Sequence, residues 1–228
     1  MRKIRITELI NTHALKWEER RRASHREATA EPLEPMITIS SEYGSAGPRL
    51  GLAVAEQLGF DFYDHDLLDG IATSTDASRR VVESLDDRVQ DWITEFISNQ
   101  FEEQKFTSGD FLRHLSRVVL ALGHHGNAVI VGRGAHFILD PRVTFRIRTI
   151  APLATRIAHV SQTENLTEKE ARASIVRKTA ERKAFCRLHF DRDVSDPEHY
   201  DLILNTASTP LELSANFVVE AFRARFSR

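Results

Sequence analysis

The sequence predicts an α/β protein built on a mostly parallel sheet. Short apolar or β-branched runs recur along the chain: Met36-Ile37-Thr38-Ile39, Phe60–Tyr63, Ala128-Val129-Ile130-Val131, Val143–Ile150 and Tyr200–Asn205. Segments with helical periodicity lie between them, the alternation that builds parallel sheets. Ala128–Val131 is apolar without interruption and ends in Gly132, as a central strand covered on both faces does. Such sheets wind right-handedly and bind ligands at the carboxyl ends of their strands, so the residues just after each strand are the informative ones.

The helices follow from spacing and caps. Leu50, Val54, Ala55 and Leu58 share one face of a helix over 49–58, which Gly59 ends. Asp64 is placed to cap a helix through Leu67, Leu68 and Ile71. Helical stretches are expected over 77–104, 109–123, 151–161, 167–185 and 210–226, with Thr167-Glu168-Lys169-Glu170 as a capping box. Residues 1–35 read differently. They hold Arg2, Lys3, Arg5, Lys16, Arg20, Arg21, Arg22 and Arg26 among glutamates, and close in a linker containing Pro32 and Pro35. They form an appendage that docks on the main domain or a partner, or else a solvated, partly helical tail.

Composition sets the outer limits. The 228 residues are 41% hydrophobic and 28% charged, in the range of globular proteins. A formal net charge of −2 excludes action on nucleic acid through bulk positive charge. No apolar run approaches the ~20 residues that span a bilayer. Met1–Arg5 begins like a signal peptide, but Thr7, Glu8, Asn11 and His13 interrupt any apolar core. The single cysteine, Cys186, excludes an intrachain disulfide and points to a reducing, cytoplasmic setting.

The first strand leads into Ser40-Ser41-Glu42-Tyr43-Gly44-Ser45-Ala46-Gly47-Pro48, a turn of small residues opening a helix. Amide groups of such a turn face inward and the helix adds the positive end of its dipole, which suits phosphate. A tight turn with no ligand explains the same residues, and Pro48 suits a first helical turn in either case. The full phosphate-loop motif, G-x-x-x-x-G-K followed by Ser or Thr, is absent. Aligned on the strand, Ser41 stands at its first glycine, Gly47 at its lysine and Pro48 at its Mg²⁺-binding hydroxyl. The nearest cation is Arg49.

Several segments together resemble the cytidylate kinase-like family, a nucleoside monophosphate kinase branch of the P-loop fold. They are Ile37–Gly47, Leu58–Asp64, Val129–Ala135, Arg146–Pro152 through Arg156, and Tyr200–Thr206, in the expected order over about 36–226. The resemblance implies a five-stranded α/β/α sheet ordered 2-3-1-4-5, a substrate-binding helical insertion near 64–126 and a lid near 183–197. It also implies transfer of the ATP γ-phosphoryl group to CMP, dCMP or a related acceptor, with Mg²⁺. Phosphoryl transfer asks mainly for positioning and neutralised charge, and the planar forks of arginines supply both. On this resemblance Arg49, Arg133 and Arg182 are the catalytic candidates. Tyr43, Gly44, Ser45, Ala46, Gly47, Pro48 and Arg49 would hold the nucleotide phosphates, and Asp64, Arg133, Arg182 and Arg187 the acceptor.

Residues 172–192 are strongly basic, and Lys178 and Arg182, four apart, share one helix face. Three positions depart from the kinase pattern: no loop lysine, an absence common in this kinase-like branch, no aspartate after Val131 to orient Mg²⁺, and Thr179 where an aspartate reads the pyrimidine. Losing one charged transition-state stabiliser commonly costs ~10²–10³ in rate, so a binding module that has lost its chemistry competes with the kinase reading. An interaction protein working through residues 1–35 is the third class. No metal site is expected: His124-His125 diverge on a helix, and capping explains Asp64-His65-Asp66. Arg187 and His189 would lower the pKa of Cys186, though nothing completes a nucleophilic site. Arg146 and Arg148 lie on one face of an interior strand and need partners, for which Glu18 or Glu19 are the expected candidates.

Overall fold

The computed structural model describes residues 34–102 and 110–226. They form two compact units, one containing His65–Gly126 and the other Pro35–Asp64 with residues 127–226. Expectations for residues 1–33, including the pairing with Glu18 or Glu19, lie outside the described residues.

The larger unit holds the sheet. Its strands are β1 (Met36–Ser41), β2 (Asp61–Tyr63), β3 (Ala128–Val131), β4 (Thr144–Ile150) and β5 (Leu202–Asn205). They run parallel in the order β2-β3-β1-β4-β5, as expected. Alternation along the central strands sorts their side chains. Ile37, Ile39, Val129, Val131, Phe145 and Ile147 pack with Leu50 and Val54 of α1 (Gly47–Leu58) and Val218, Val219 and Phe222 of the C-terminal helix (Leu211–Phe226). The alternate positions, Thr38, Ser40, Arg146 and Arg148, give the opposite face of the sheet a polar centre. That face carries the candidate site.

In the smaller unit α2 (His65–Thr73), α3 (Thr75–Glu83), α4 (Asp87–Glu102) and α5 (Asp110–His125) bury Leu68, Ile71, Val81, Ile93, Ile97, Leu112, Leu115 and Val119. The single helix expected over 77–104 is two. Asp86 accepts a hydrogen bond from the Val89 amide at 3.0 Å, starting a new helix where the Ser84 hydroxyl has turned back to the Val81 carbonyl at 2.7 Å.

The larger unit also holds α6 (Ala135–Ile138), α7 (Leu153–Glu164), α8 (Glu168–Phe190) and a short 3₁₀ turn at Pro197–His199, and its C-terminal helix is α9 (Leu211–Phe226). The capping box at Thr167 and Glu170 is present at the start of α8. This helix runs five residues past its expected end at Phe185, to a C-cap at Asp191 in the left-handed conformation. Ile157, Val160, Ala171 and Ile175 join α7 and α8 into a small core of their own.

Two arginines of β4 have partners among the described residues. Arg146 pairs with Asp201, at 2.9 Å from Nη2 to Oδ1, and the same carboxylate meets Arg225 at 2.7 Å. Arg148 is 7% exposed and its partners among the described residues are neutral: the Ser40 hydroxyl at 3.2 Å, the Tyr200 hydroxyl at 3.4 Å and the Tyr200 ring at 5.5 Å. Cys186 is buried, and burial pushes its thiol up to about 11 rather than down.

Candidate functional site

The turn after β1 is held by its carbonyls. The Ser41 carbonyl accepts from Arg182 Nη1 at 2.7 Å, and the Glu42 carbonyl from the Ser45 amide at 3.0 Å. The Gly44 carbonyl meets His159 Nδ1 at 3.0 Å, which places that ring's proton on Nδ1, and the Ser45 carbonyl accepts from Thr206 Oγ1 at 3.0 Å. The amides behave differently. Those of Tyr43, Gly44, Ala46, Gly47 and Arg49 donate to no group among the described residues. A turn with several oxygens taken up by the scaffold and five N–H groups left free among the described residues, at a helix N-terminus, has the chemistry that suits an anion.

The glycines shape this turn through packing. A Cβ on Gly47 would stand 2.4 Å from Ser41 Cβ. Gly44 has φ +90°, and a Cβ there would lie 2.9 Å from Arg156 Cβ. Ser45 is 1% exposed, its hydroxyl 2.8 Å from both the Glu42 carbonyl and Thr149 Oγ1. Glu42 turns its carboxylate away from the turn, to the Ala151 amide at 3.2 Å and Arg156 Nε at 3.5 Å.

Guanidinium groups gather beside the turn. Arg148 reaches it from β4, opposite Ser40 in the register. Arg182 comes from α8 and bonds the turn directly. Its pKa is lowered, first by burial and then by the nearby charges of Arg133 and Arg148. Neither Arg148 nor Arg182 has a carboxylate partner among the described residues. Arg133 follows β3 with φ 53°, between Gly132 at 89° and Gly134 at 68°. Three successive left-handed residues, the middle one carrying a side chain, mark a strained backbone of the kind that functional sites keep. The Arg133 guanidinium lies 5.9 Å from the Phe185 ring centroid.

Beneath this cluster Tyr200 donates its hydroxyl proton to the Val194 carbonyl at 2.7 Å and stands 3.3 Å from His136 Nε2. Burial, then the charges of His199, Arg148 and Arg146, lower the His136 pKa to about 3, so its ring is neutral near pH 7.

The remaining sequence candidates fall as follows. Pro48 and Arg49 are exposed in the first turn of α1. Asp64 sits between β2 and α2. Arg187 points outward, its side chain 70% exposed and 4.0 Å from Asp191, so the structure does not bring it to the cluster. Arg148 went unassigned at the sequence level, although a charged residue on an interior strand was the signal for it. The turn and the arginines fit the phosphates of a nucleotide. They do not fit a protein-held Mg²⁺, because Pro48 occupies the place of the loop hydroxyl and β3 ends without a carboxylate.

The profile of the cytidylate kinase-like family matches residues 36–208. A cytidylate kinase of Halorubrum lacusprofundi is 25% identical over 75% of this chain and 81% of its own. One from Staphylothermus marinus is 27% identical over 42% of this chain and 54% of its own. A uronate isomerase of Corynebacterium glutamicum is 29% identical over 43% of this chain but only 19% of its own length. Among solved structures, an uncharacterized protein from Eubacterium ventriosum superposes with a TM-score of 0.58 at 21% identity, covering 84% of this chain and 99% of that one. With the family profile spanning most of the sheet-bearing unit and the strand order in agreement, this chain belongs to the cytidylate kinase-like family.

Proposed function

We propose that the protein is a nucleotide kinase-like phosphotransferase that moves a phosphoryl group from ATP to a small phosphorylated acceptor of the CMP or dCMP kind. The observation that carries this reading is the turn over residues 41–49, whose Ser41, Gly44 and Ser45 carbonyls are bonded to the scaffold while the amides of Tyr43, Gly44, Ala46, Gly47 and Arg49 stay free among the described residues. The donor's β- and γ-phosphates rest on those amides. Arg133, Arg148 and Arg182 face the acceptor phosphate and the group in transfer. Burial lowers the local dielectric, so each fixed guanidinium stabilises the transferring charge more than water would. ATP brings the phosphoryl group, and the arginines and free amides are the protein's own means of offsetting phosphate charge.

A second reading has its own support. The missing carboxylate after β3 and the proline at the hydroxyl position favour a nucleotide-binding module without turnover. ATP consumption over a panel of nucleoside monophosphates, with Mg²⁺, separates the two. The kinase reading expects turnover with a pyrimidine monophosphate and its loss in Arg133→Met. ATP binding without turnover on any acceptor favours the module, and no binding of ATP or monophosphate rejects both.

A further inference from the structure

The turn carries no ammonium, since Gly47 holds the position of the phosphate-loop lysine. One lysine nevertheless lies on the turn. Lys178, midway along α8, donates a hydrogen bond to the Tyr43 hydroxyl and holds its Nζ 4.0 Å from the centroid of the Tyr43 ring. Tyr43 is itself one of the residues with a free amide. One helical turn further along α8, Arg182 lies 5.3 Å from the same ring and bonds the Ser41 carbonyl. The helix therefore presents two cations, i and i+4, to the two flanks of the turn. Tyr43 is the platform under both, seated on the α7–α8 core of Ile157, Val160, Ala171 and Ile175.

We propose that Lys178 is the ammonium of this phosphate site, delivered from α8 instead of from the turn. The proposal rests on the phosphate-binding reading above and adds a residue to it. The acid near Lys178 is Glu164, the last residue of α7, which is 3.7 Å away and also accepts from the Tyr43 hydroxyl. Both side chains of this pair are about one-third exposed, 33% and 38%, so their attraction is screened by water. A triphosphate on the free amides presents several negative charges against one carboxylate. Lys178, a compact charge on a flexible four-carbon stem, transfers to it by rotation about side-chain bonds. Tyr43 and Glu164 hold the ammonium near the turn before the ligand arrives.

The test is binding of ATP, inorganic tripolyphosphate and adenosine to the full chain by titration calorimetry. Lys178→Met, Lys178→Arg and Arg49→Met are compared with wild type, and Arg177→Met serves as a surface control. Lys178→Met is expected to weaken ATP and tripolyphosphate about ten- to a hundredfold, the scale of one charged hydrogen bond, and to leave adenosine unchanged. Lys178→Arg restores most of the loss, and Arg177→Met matches wild type. A purely structural clamp would instead lower the melting temperature and shift all three ligands alike, which overturns the proposal. Equal ATP affinity in wild type and Lys178→Met, or a loss confined to Arg49→Met, overturns it while leaving the phosphate site standing. No ATP or tripolyphosphate binding by wild type removes the site and the proposal together.

Discussion

Arg148 is a cation in the wrong place for stability and the right place for an anion, and Arg148→Met separates the two effects. In the free protein Arg148 is 7% exposed, and among the described residues its charge is offset by two long hydrogen bonds to hydroxyls and one ring face. Replacing a buried ion by an apolar side chain of similar volume stabilises by about 1–4 kcal/mol. Loss of the Ser40 and Tyr200 contacts returns about 1 kcal/mol, because Tyr200 keeps its bond to Val194. The net gain of roughly 0–3 kcal/mol corresponds to a melting temperature higher by about 0–12 °C at this size. Ligand binding moves the other way. At one hundred times its dissociation constant a triphosphate stabilises the wild type by about 2.7 kcal/mol. A charged hydrogen bond lost to Arg148→Met weakens it ten- to a hundredfold, cutting that stabilisation to roughly 0.4–1.4 kcal/mol. Thermal melts of both proteins with and without tripolyphosphate measure all four states. A variant less stable than wild type without ligand, yet showing the full ligand shift, refutes the reasoning.

Other consequences are simpler to read. His136 has a folded pKa near 3, below its unfolded value of 6.5, so its contribution is intact above pH 6.5 and is lost as pH falls toward 3. Urea melts should show a slope of up to ~1.4 kcal/mol per pH unit in that window, reduced in His136→Phe; identical slopes would contradict the assignment. Asp201 joins Arg146 and Arg225, which together with hydrogen bonding hold its carboxyl below the usual range despite burial. Asp201→Asn should therefore cost about 2–3 kcal/mol near pH 7, with the difference from wild type shrinking in acid as the native carboxylate protonates; a neutral substitution would argue against the network. Gly47→Ala places a Cβ 2.4 Å from Ser41 Cβ, so about 1–3 kcal/mol of destabilisation and weaker triphosphate binding are expected, and an unchanged melt with full binding would show that the turn yields.

The sheet was readable because its signals are local. Five apolar runs, each followed by a turn and a helix, specify order and direction, and the resemblance of short motifs supplied the strand arrangement. Helix lengths were less readable. The break at Ser84–Asp86 needs only two short side chains bonding backbone, in a stretch whose composition suits a continuous helix. The extension of α8 to Phe190 depends on Asp191 accepting a left-handed conformation. Within the site, the turn and Arg133 stood out by position just after strand ends, and Arg182 through the family resemblance and the helix face it shares with Lys178. Arg148 and Lys178 were noticed for their charge, but their place at the turn was not legible, because it comes from tertiary neighbours: Ser40 and Tyr200 for one, Tyr43 for the other. Arg146 has a carboxylate partner in Asp201, adjacent to β5 and 55 residues away in sequence, a distance no local pattern reveals.

A crystal structure of the full chain at saturating tripolyphosphate tests the central claim most directly. The account predicts phosphate oxygens on the amides of Tyr43, Gly44, Ala46, Gly47 and Arg49, with Arg133, Arg148 and Arg182 alongside. Tripolyphosphate bound elsewhere while those amides keep only water would contradict it.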